Sequence, residues 1–93
     1  METQNYDSTE GRSILKEISR SKMVVGARQL RKALENGRAK RVYLAEEADP
    51  AITEPIALMC QKYHIDYAWV PNMLDLGKAC GIEVGAAAAA SVK

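Results

Sequence analysis

Met23-Val24-Val25-Gly26-Ala27-Arg28-Gln29-Leu30-Arg31-Lys32-Ala33-Leu34-Glu35-Asn36-Gly37 compresses an apolar strand, a glycine turn and a basic helix into one stretch, and the rest of the chain reads as support for it. Three apolar residues lead into Gly26, whose missing Cβ lets the backbone turn sharply and lets another molecule come close to the main chain. At about 100° per residue, Ala27, Leu30, Ala33 and Leu34 fall on one stripe, with Arg28 and Lys32 on the opposite face and Arg31 and Glu35 beside them. The helix is thus anchored by one side and cationic on the other, and Gly37 supplies the left-handed residue that ends it. Free amides at its N-terminus, with Arg28 and Gln29 in the first turn and Lys32 one turn on, make a candidate reading head for anions and hydrogen-bonding groups. The same residues also fit an ordinary amphipathic helix with a solvated basic face, so this stretch alone does not assign a role.

Working outward, 93 residues with 47% hydrophobic content suit one small domain with a single core. Residues 1–12 are expected to be a flexible N-terminal segment and 13–93 the folded domain, because Met1 to Gly11 is polar and lacks apolar periodicity. That polar start is unlike a signal or transit peptide and no apolar run is long enough to span a membrane, so the expected location is the cytoplasm with no membrane partner. Cys60 and Cys80 lie in apolar helical patterns without CxxC spacing, which reads as reduced core thiols.

The formal net charge of +1 hides an asymmetry. Residues 12 to 41 hold ten basic residues against Glu17 and Glu35, whereas residues 42 to 83 hold seven acids against Lys62 and Lys78. A basic patch on a nearly neutral protein attracts phosphates locally.

Taken in order, Ser13 is placed to cap a short helix that buries Ile14, Leu15 and Ile18. After the basic helix, Arg38 to Arg41 reads as a basic connection and Val42-Tyr43-Leu44-Ala45 as a strand buried on both faces. Glu46-Glu47-Ala48-Asp49-Pro50 is an acidic loop in which Asp49 can cap and Pro50 can open a turn. Because proline is tolerated in a first turn, Pro55 predicts the next helix over 53–62, capped by Thr53, with Ile56, Leu58, Met59 and Cys60 available for burial. Ile65 to Val70 alternates as a strand until Pro71, and Asn72 with Asp75 forms a capping pair for a helix that Gly81 closes. Ala86 to Ala90 is ambiguous: alanine has the highest helix propensity, yet small side chains suit a crowded central strand. Alternating strands and helices predict a three-layer α/β/α sandwich.

Several chemistries lack their residues. His64 is the single histidine and reads as a helix C-terminal cap, which leaves no His-based metal site and no nucleophile-elbow triad. Neither GxGxxG nor GxxxxGK[ST] occurs, so no cofactor is implied and the reading is not of an enzyme. Glu46, Glu47 and Asp49 read as a solvated loop rather than a cation site. Tyr43, Tyr63, Tyr67 and Trp69 read as packing residues, because the basic residues lie elsewhere and an aromatic base-stacking sheet would need both together.

Three segments in order, Gly26 to Lys32, Leu44 to Pro50 and above all Leu76-Gly77-Lys78-Ala79-Cys80-Gly81-Ile82-Glu83-Val84-Gly85-Ala86-Ala87-Ala88, resemble the ribosomal protein L-seven-Ae family of kink-turn RNA-binding proteins, most nearly its small bacterial YbxF type. The resemblance runs from about Ile18 to Val92. It implies an α/β/α sandwich on a mixed four-stranded sheet, with the alanine run as a strand. It further implies a monomer that binds kink turns, sharply bent RNA helices whose sheared G·A pairs expose guanine edges, in ribosomal or regulatory RNA and on the ribosome. Carried over by position, Gly26 and Ala27 would offer backbone contacts, and Arg28, Gln29, Arg31 and Lys32 would meet guanine edges and phosphates. Ile82, Glu83, Val84 and Gly85 would cover bases of the bulge, Asp49 would border the flipped-out nucleotide, and Lys78 would add a phosphate contact. The chemistry fits these residue types, since Arg and Lys donate to guanine O6 and N7 and Gln both donates and accepts. The competing expectation is a ribosome-associated protein-interaction module that keeps the fold without kink-turn specificity.

Overall fold

A computed structural model describes residues 14–93. The expected flexible segment 1–12 and the Ser13 cap lie outside those residues. A helix over residues 14–19 (α1) is followed by β1 (Met23–Val25), α2 (Ala27–Glu35), β2 (Ala39–Ala45), α3 (Pro50–Tyr63), β3 (Asp66–Val70), α4 (Met73–Ala79) and β4 (Ala88–Val92). The strands form one mixed sheet in the order β1-β4-β2-β3, with β4 antiparallel to both neighbours and β2 parallel to β3.

Side-chain alternation along β2 builds the layers. Val42 and Leu44 enter a core with Leu30, Ala33 and Leu34 of α2 and Ile56 and Cys60 of α3. Tyr43 and Ala45 point the other way, into a core with Ile18 of α1 and Leu76 of α4. Helices therefore cover both faces of the sheet and the domain is an α/β/α sandwich. A fully buried Val or Leu contributes about 1.5–3 kcal/mol, so burial on both faces is what fixes β2 at the centre.

The alanine run shows tertiary pairing overriding local propensity. Ala88 to Val92 is fully buried and pairs with β1 on one side and β2 on the other, a place where small side chains let helices close in from above and below.

Four expectations need correction. The basic connection Arg38 to Arg41 is largely strand, because Ala39 pairs with Val92 across a bulge that extends β2 backwards. The helix expected at 53–62 begins at Pro50, where the Asp49 carboxylate accepts from the Ala51 amide at 2.9 Å, and Thr53 is buried instead of capping. Pro55 lies inside α3; the carbonyl it leaves unpaired belongs to Ala51, an exposed residue, and burial of Ile56 and Cys60 holds the helix through it. Leu58, expected to be available for burial, is exposed, as are Tyr63 and Trp69, expected as packing residues.

Cys60 is buried and Cys80 half-buried, both as free thiols. Burial pushes the Cys60 thiol up to about 11, which makes it inert.

Candidate nucleic-acid interface

Strand directions decide which loops meet. Because β1, β2 and β3 all run antiparallel to β4, their C-terminal ends and the start of β4 share one end of the sheet. The turn at Gly26, the loop 46–49, the turn 71–72 and the loop 80–87 all emerge there.

Hydrogen bonds join these four segments into one surface. The Gly26 amide donates to the Ala88 carbonyl at 3.0 Å, the Ala45 amide to Ala87 at 3.0 Å, and the Glu46 amide to Val70 at 2.8 Å. The Met73 amide donates to the Glu47 carboxylate at 2.8 Å, and the Ala86 amide to the Met73 carbonyl at 2.9 Å. Gly26 thus sits three residues from Gly85 along β4 and its approach, bonded to that run rather than merely near it.

Gly26 is the N-cap of α2 at φ 98°, ψ 148°, a backbone setting that a side chain would strain, and the space where a Cβ would project is open. With no side-chain cap and no acid in the first turn, the leading amides of α2 keep their donors outward. Arg28, Gln29, Arg31 and Lys32 are all exposed, whereas Ala27 leans against the core. The helix closes through the Arg38 amide to Ala33 at 2.9 Å and the Gly37 amide to Leu34 at 3.2 Å.

The second rim is the loop after α4. Ile82 packs into the lower core and its amide bonds back to Gly77 at 3.0 Å, leaving Glu83, Val84 and Gly85 exposed. Val84 is 66% exposed and Leu74 49%, which gives this rim an apolar surface. Lys78 is exposed in the last turn of α4.

Three of the acids at this end are held by hydrogen bonds, whereas Glu46 and Glu83 are exposed. The Asp49 carboxylate caps α3, the Glu47 carboxylate accepts from the Met73 amide, and the Asp75 carboxylate accepts from the Asn72 side-chain amide at 3.2 Å while the Asp75 backbone amide donates to Asn72 Oδ1 at 2.8 Å. Glu47 therefore corrects the reading of a merely solvated acidic loop. Among the described residues no ion pair engages Arg28, Arg31, Lys32 or Lys78, and the surface keeps a net cationic side along α2.

The structural roles of two positions are not legible in the sequence. Gly77 seats the loop: the Val84 carbonyl lies where its Cβ would be, a close approach that a glycine inside a helix signals in principle. Met73 is the junction where Glu47, Ala86 and Gly85 converge, and no local pattern marks it.

Residues 11–93 match the model of the ribosomal protein L7Ae/L30e/S12e/Gadd45 family. The chain belongs to this family. Among its relatives, an RNA-binding protein of Bacillus pumilus is 44% identical over 68 residues, which covers 73% of this chain and 83% of that one. The RNA-binding protein YbxF of Geobacillus stearothermophilus is 38% identical over 78 residues, covering 84% of this chain and 95% of its own length. In three dimensions the L7Ae-family chain superposes on the 15.5kD RNA binding protein of Giardia lamblia with a TM-score of 0.78 at 26% identity, over 95% of this chain and 75% of that one. Among the described residues no helix is long and apolar enough to cross a membrane.

Proposed function

We propose that this protein is a non-enzymatic, cytoplasmic RNA-binding protein that recognises kink turns and holds them bent, in association with the ribosome. The observation that carries the reading is the hydrogen-bonded run from Gly26 through Ala88 to the loop 82–85, which sets a cationic helix start beside an exposed apolar rim. Relatives named as RNA-binding proteins over most of their length add weight to RNA as the ligand.

In this reading, Arg28 and Gln29 meet guanine edges while Arg31, Lys32 and Lys78 neutralise phosphates, and the open backbone at Gly26 and Ala27 admits the strand closely. Val84, beside Glu83 and Gly85, offers an apolar seat for an unstacked base, with Ile82 fixing the loop from below. Asp49 borders the flipped-out nucleotide while capping α3. Bent RNA is favoured only to the extent that it binds more tightly than the straight conformer.

The test is energy transfer between dyes on the two arms of a kink-turn duplex. Transfer is expected to rise to saturation with the wild-type protein and to fall away with Arg28→Ala/Lys32→Ala. Unchanged transfer at saturating protein, or an equal rise with the double variant, overturns the reading.

A further inference from the structure

A second cationic surface lies at the other end of the sheet, where β1 to β3 begin and β4 finishes. Lys22 precedes β1 and its carbonyl accepts from the Val92 amide at 2.9 Å; Arg38 precedes β2 and its carbonyl accepts from the Lys93 amide at 3.0 Å. Two backbone bonds, one from Val92 at the end of β4 and one from Lys93 just beyond it, therefore hold Lys22 and Arg38 on either side of the end of β4. Lys40 joins them by a different device. Ala39 pairs with Val92 and Arg41 with Ser91, so Lys40 is the extra residue of a β-bulge, a feature that turns a side chain out of the regular alternation. Arg20 follows α1 two residues before Lys22. All four cations are exposed.

The acids nearby do not cancel them. Glu17 is held by Arg41 at 2.9 and 3.1 Å and by the Tyr43 hydroxyl. Asp66 opens β3 opposite Arg41, and Glu35 lies in the last turn of α2. Among the described residues Arg41–Glu17 is the one ion pair; Lys40 acts on the Glu17 carboxylate through space without pairing to it, and Arg20, Lys22 and Arg38 have no ion-pair partner there. The seven residues of β2, at about 3.3 Å each, put this surface about 20 Å from the turn at Gly26.

We propose that Arg20, Lys22, Arg38 and Lys40 form a second phosphate-binding surface that takes the backbone of a separate RNA duplex, so that one molecule bridges two RNA segments. The inference extends the proposed function, resting on RNA as ligand but not on kink-turn recognition. Cations spaced across a strand end, without aromatic or hydrogen-bonding readers among them, suit backbone charge and not base sequence.

The experiment adds a straight RNA duplex of about 16 base pairs, a length one double-strand-binding module spans, to the full chain already saturated with a minimal kink-turn hairpin. The two RNAs carry different dyes, and a ternary complex is read by gel mobility at low salt. Wild type is expected to hold both, whereas Lys22→Gln/Arg38→Gln/Lys40→Gln loses duplex recruitment at least tenfold, keeps hairpin binding within twofold, and shows a salt slope for duplex shallower by about 2 to 3. Displacement of the hairpin by the duplex, or undiminished recruitment by the triple variant, overturns the proposal. If the hairpin does not bind, the duplex alone is tested. Duplex binding that depends on Lys22, Arg38 and Lys40 but survives Arg28→Ala/Lys32→Ala supports the second surface while the kink-turn reading fails; the reverse dependence overturns it.

Discussion

The carbonyl oxygen of Val84 fills the space that a side chain on Gly77 would need, with the Val84 carbonyl carbon 3.0 Å and the Gly85 Cα 3.3 Å from the same point. Helix propensity alone would make Gly77→Ala stabilising by about 1 kcal/mol. The obstruction is backbone and cannot rotate away, so the loop 82–85 must lift from α4. Gly77→Ala is expected to lower the unfolding free energy by about 1–3 kcal/mol, as overpacking does, and to weaken RNA retention in parallel. Urea denaturation checks the first effect, and a gain in stability would show that the loop is not seated on this helix.

Arg28 and Lys32 are exposed and have no ion-pair partner among the described residues, so their loss should be felt in binding and not in folding. Arg28→Ala/Lys32→Ala is expected to leave the melting temperature within about 4 °C, since surface changes of this kind stay within about 0.5 kcal/mol. The slope of log K against log salt for kink-turn RNA should become shallower by about 1, for the phosphate contact of Lys32, while loss of the Arg28 contact to a guanine edge lowers affinity at every salt concentration. Filter binding between 50 and 300 mM salt measures it.

What could be read from the chain alone follows the range of the interactions involved. The strand around Val42 to Ala45 and the cap at Asn72 with Asp75 are legible because alternation and a three-residue capping spacing are local signals. Local signals do not decide the alanine run, since its conformation depends on pairing with β1 and β2 on both sides and composition alone points to helix; the family resemblance places it as a strand, as found. The start of α3 is misread because Pro55 is a strong local breaker that burial of Thr53 and Ile56 overrides. At the candidate interface, the glycine turn and the cationic face of α2 are visible in the residues. Their union with the loop 82–85 comes from β4 lying between β1 and β2, and the Glu47–Met73 bond joins residues 26 positions apart. Trp69 pairs opposite Leu44 on the edge strand, and its exposure reflects that edge, which no alternation pattern reveals.

His64 ends α3 in the left-handed region at φ 59°, ψ 42°, the sole non-glycine residue with positive φ among those described. A residue with a Cβ is disfavoured there by about 1–2 kcal/mol, and glycine is not. Glycine loses more entropy on folding, which returns about 0.4–1 kcal/mol. His64→Gly is therefore expected to stabilise the domain by about 0.5–1 kcal/mol with kink-turn binding unchanged, because α3 ends at the far end of the sheet from Gly26. Thermal unfolding of the two proteins side by side checks it, and destabilisation would mean the imidazole makes a contact that outweighs the strain.

Glu17 and Tyr43 couple α1 to the central strand and give the fold a pH dependence. The Tyr43 hydroxyl, followed by Arg41, holds the Glu17 carboxyl below its ordinary value of 4.5 against partial desolvation. Burial first, and the Glu17 carboxylate second, push the Tyr43 phenol up from 10.0 to about 12. A lowered carboxyl contributes stability that is complete above its unfolded value and lost as pH falls through the folded one; a raised phenol contributes stability that is complete below 10.0 and lost as pH climbs toward 12. The pair thus stabilises α1 across the neutral range. Tyr43→Phe removes the shared hydrogen bond and leaves Arg41 as the remaining partner, so at pH 7 it is expected to cost about 1–2 kcal/mol. Below the folded value for Glu17 the carboxyl is protonated in both states and in both proteins, and the difference should shrink by half or more. Urea unfolding of wild type and Tyr43→Phe at pH 7 and at a pH below the titration midpoint of Glu17, located by NMR titration of each folded protein, measures the two differences, with titration of the remaining carboxylates cancelling between the proteins. An equal penalty at both pH values would mean that the hydroxyl acts through packing alone and that the carboxylate of Glu17 does not depend on it.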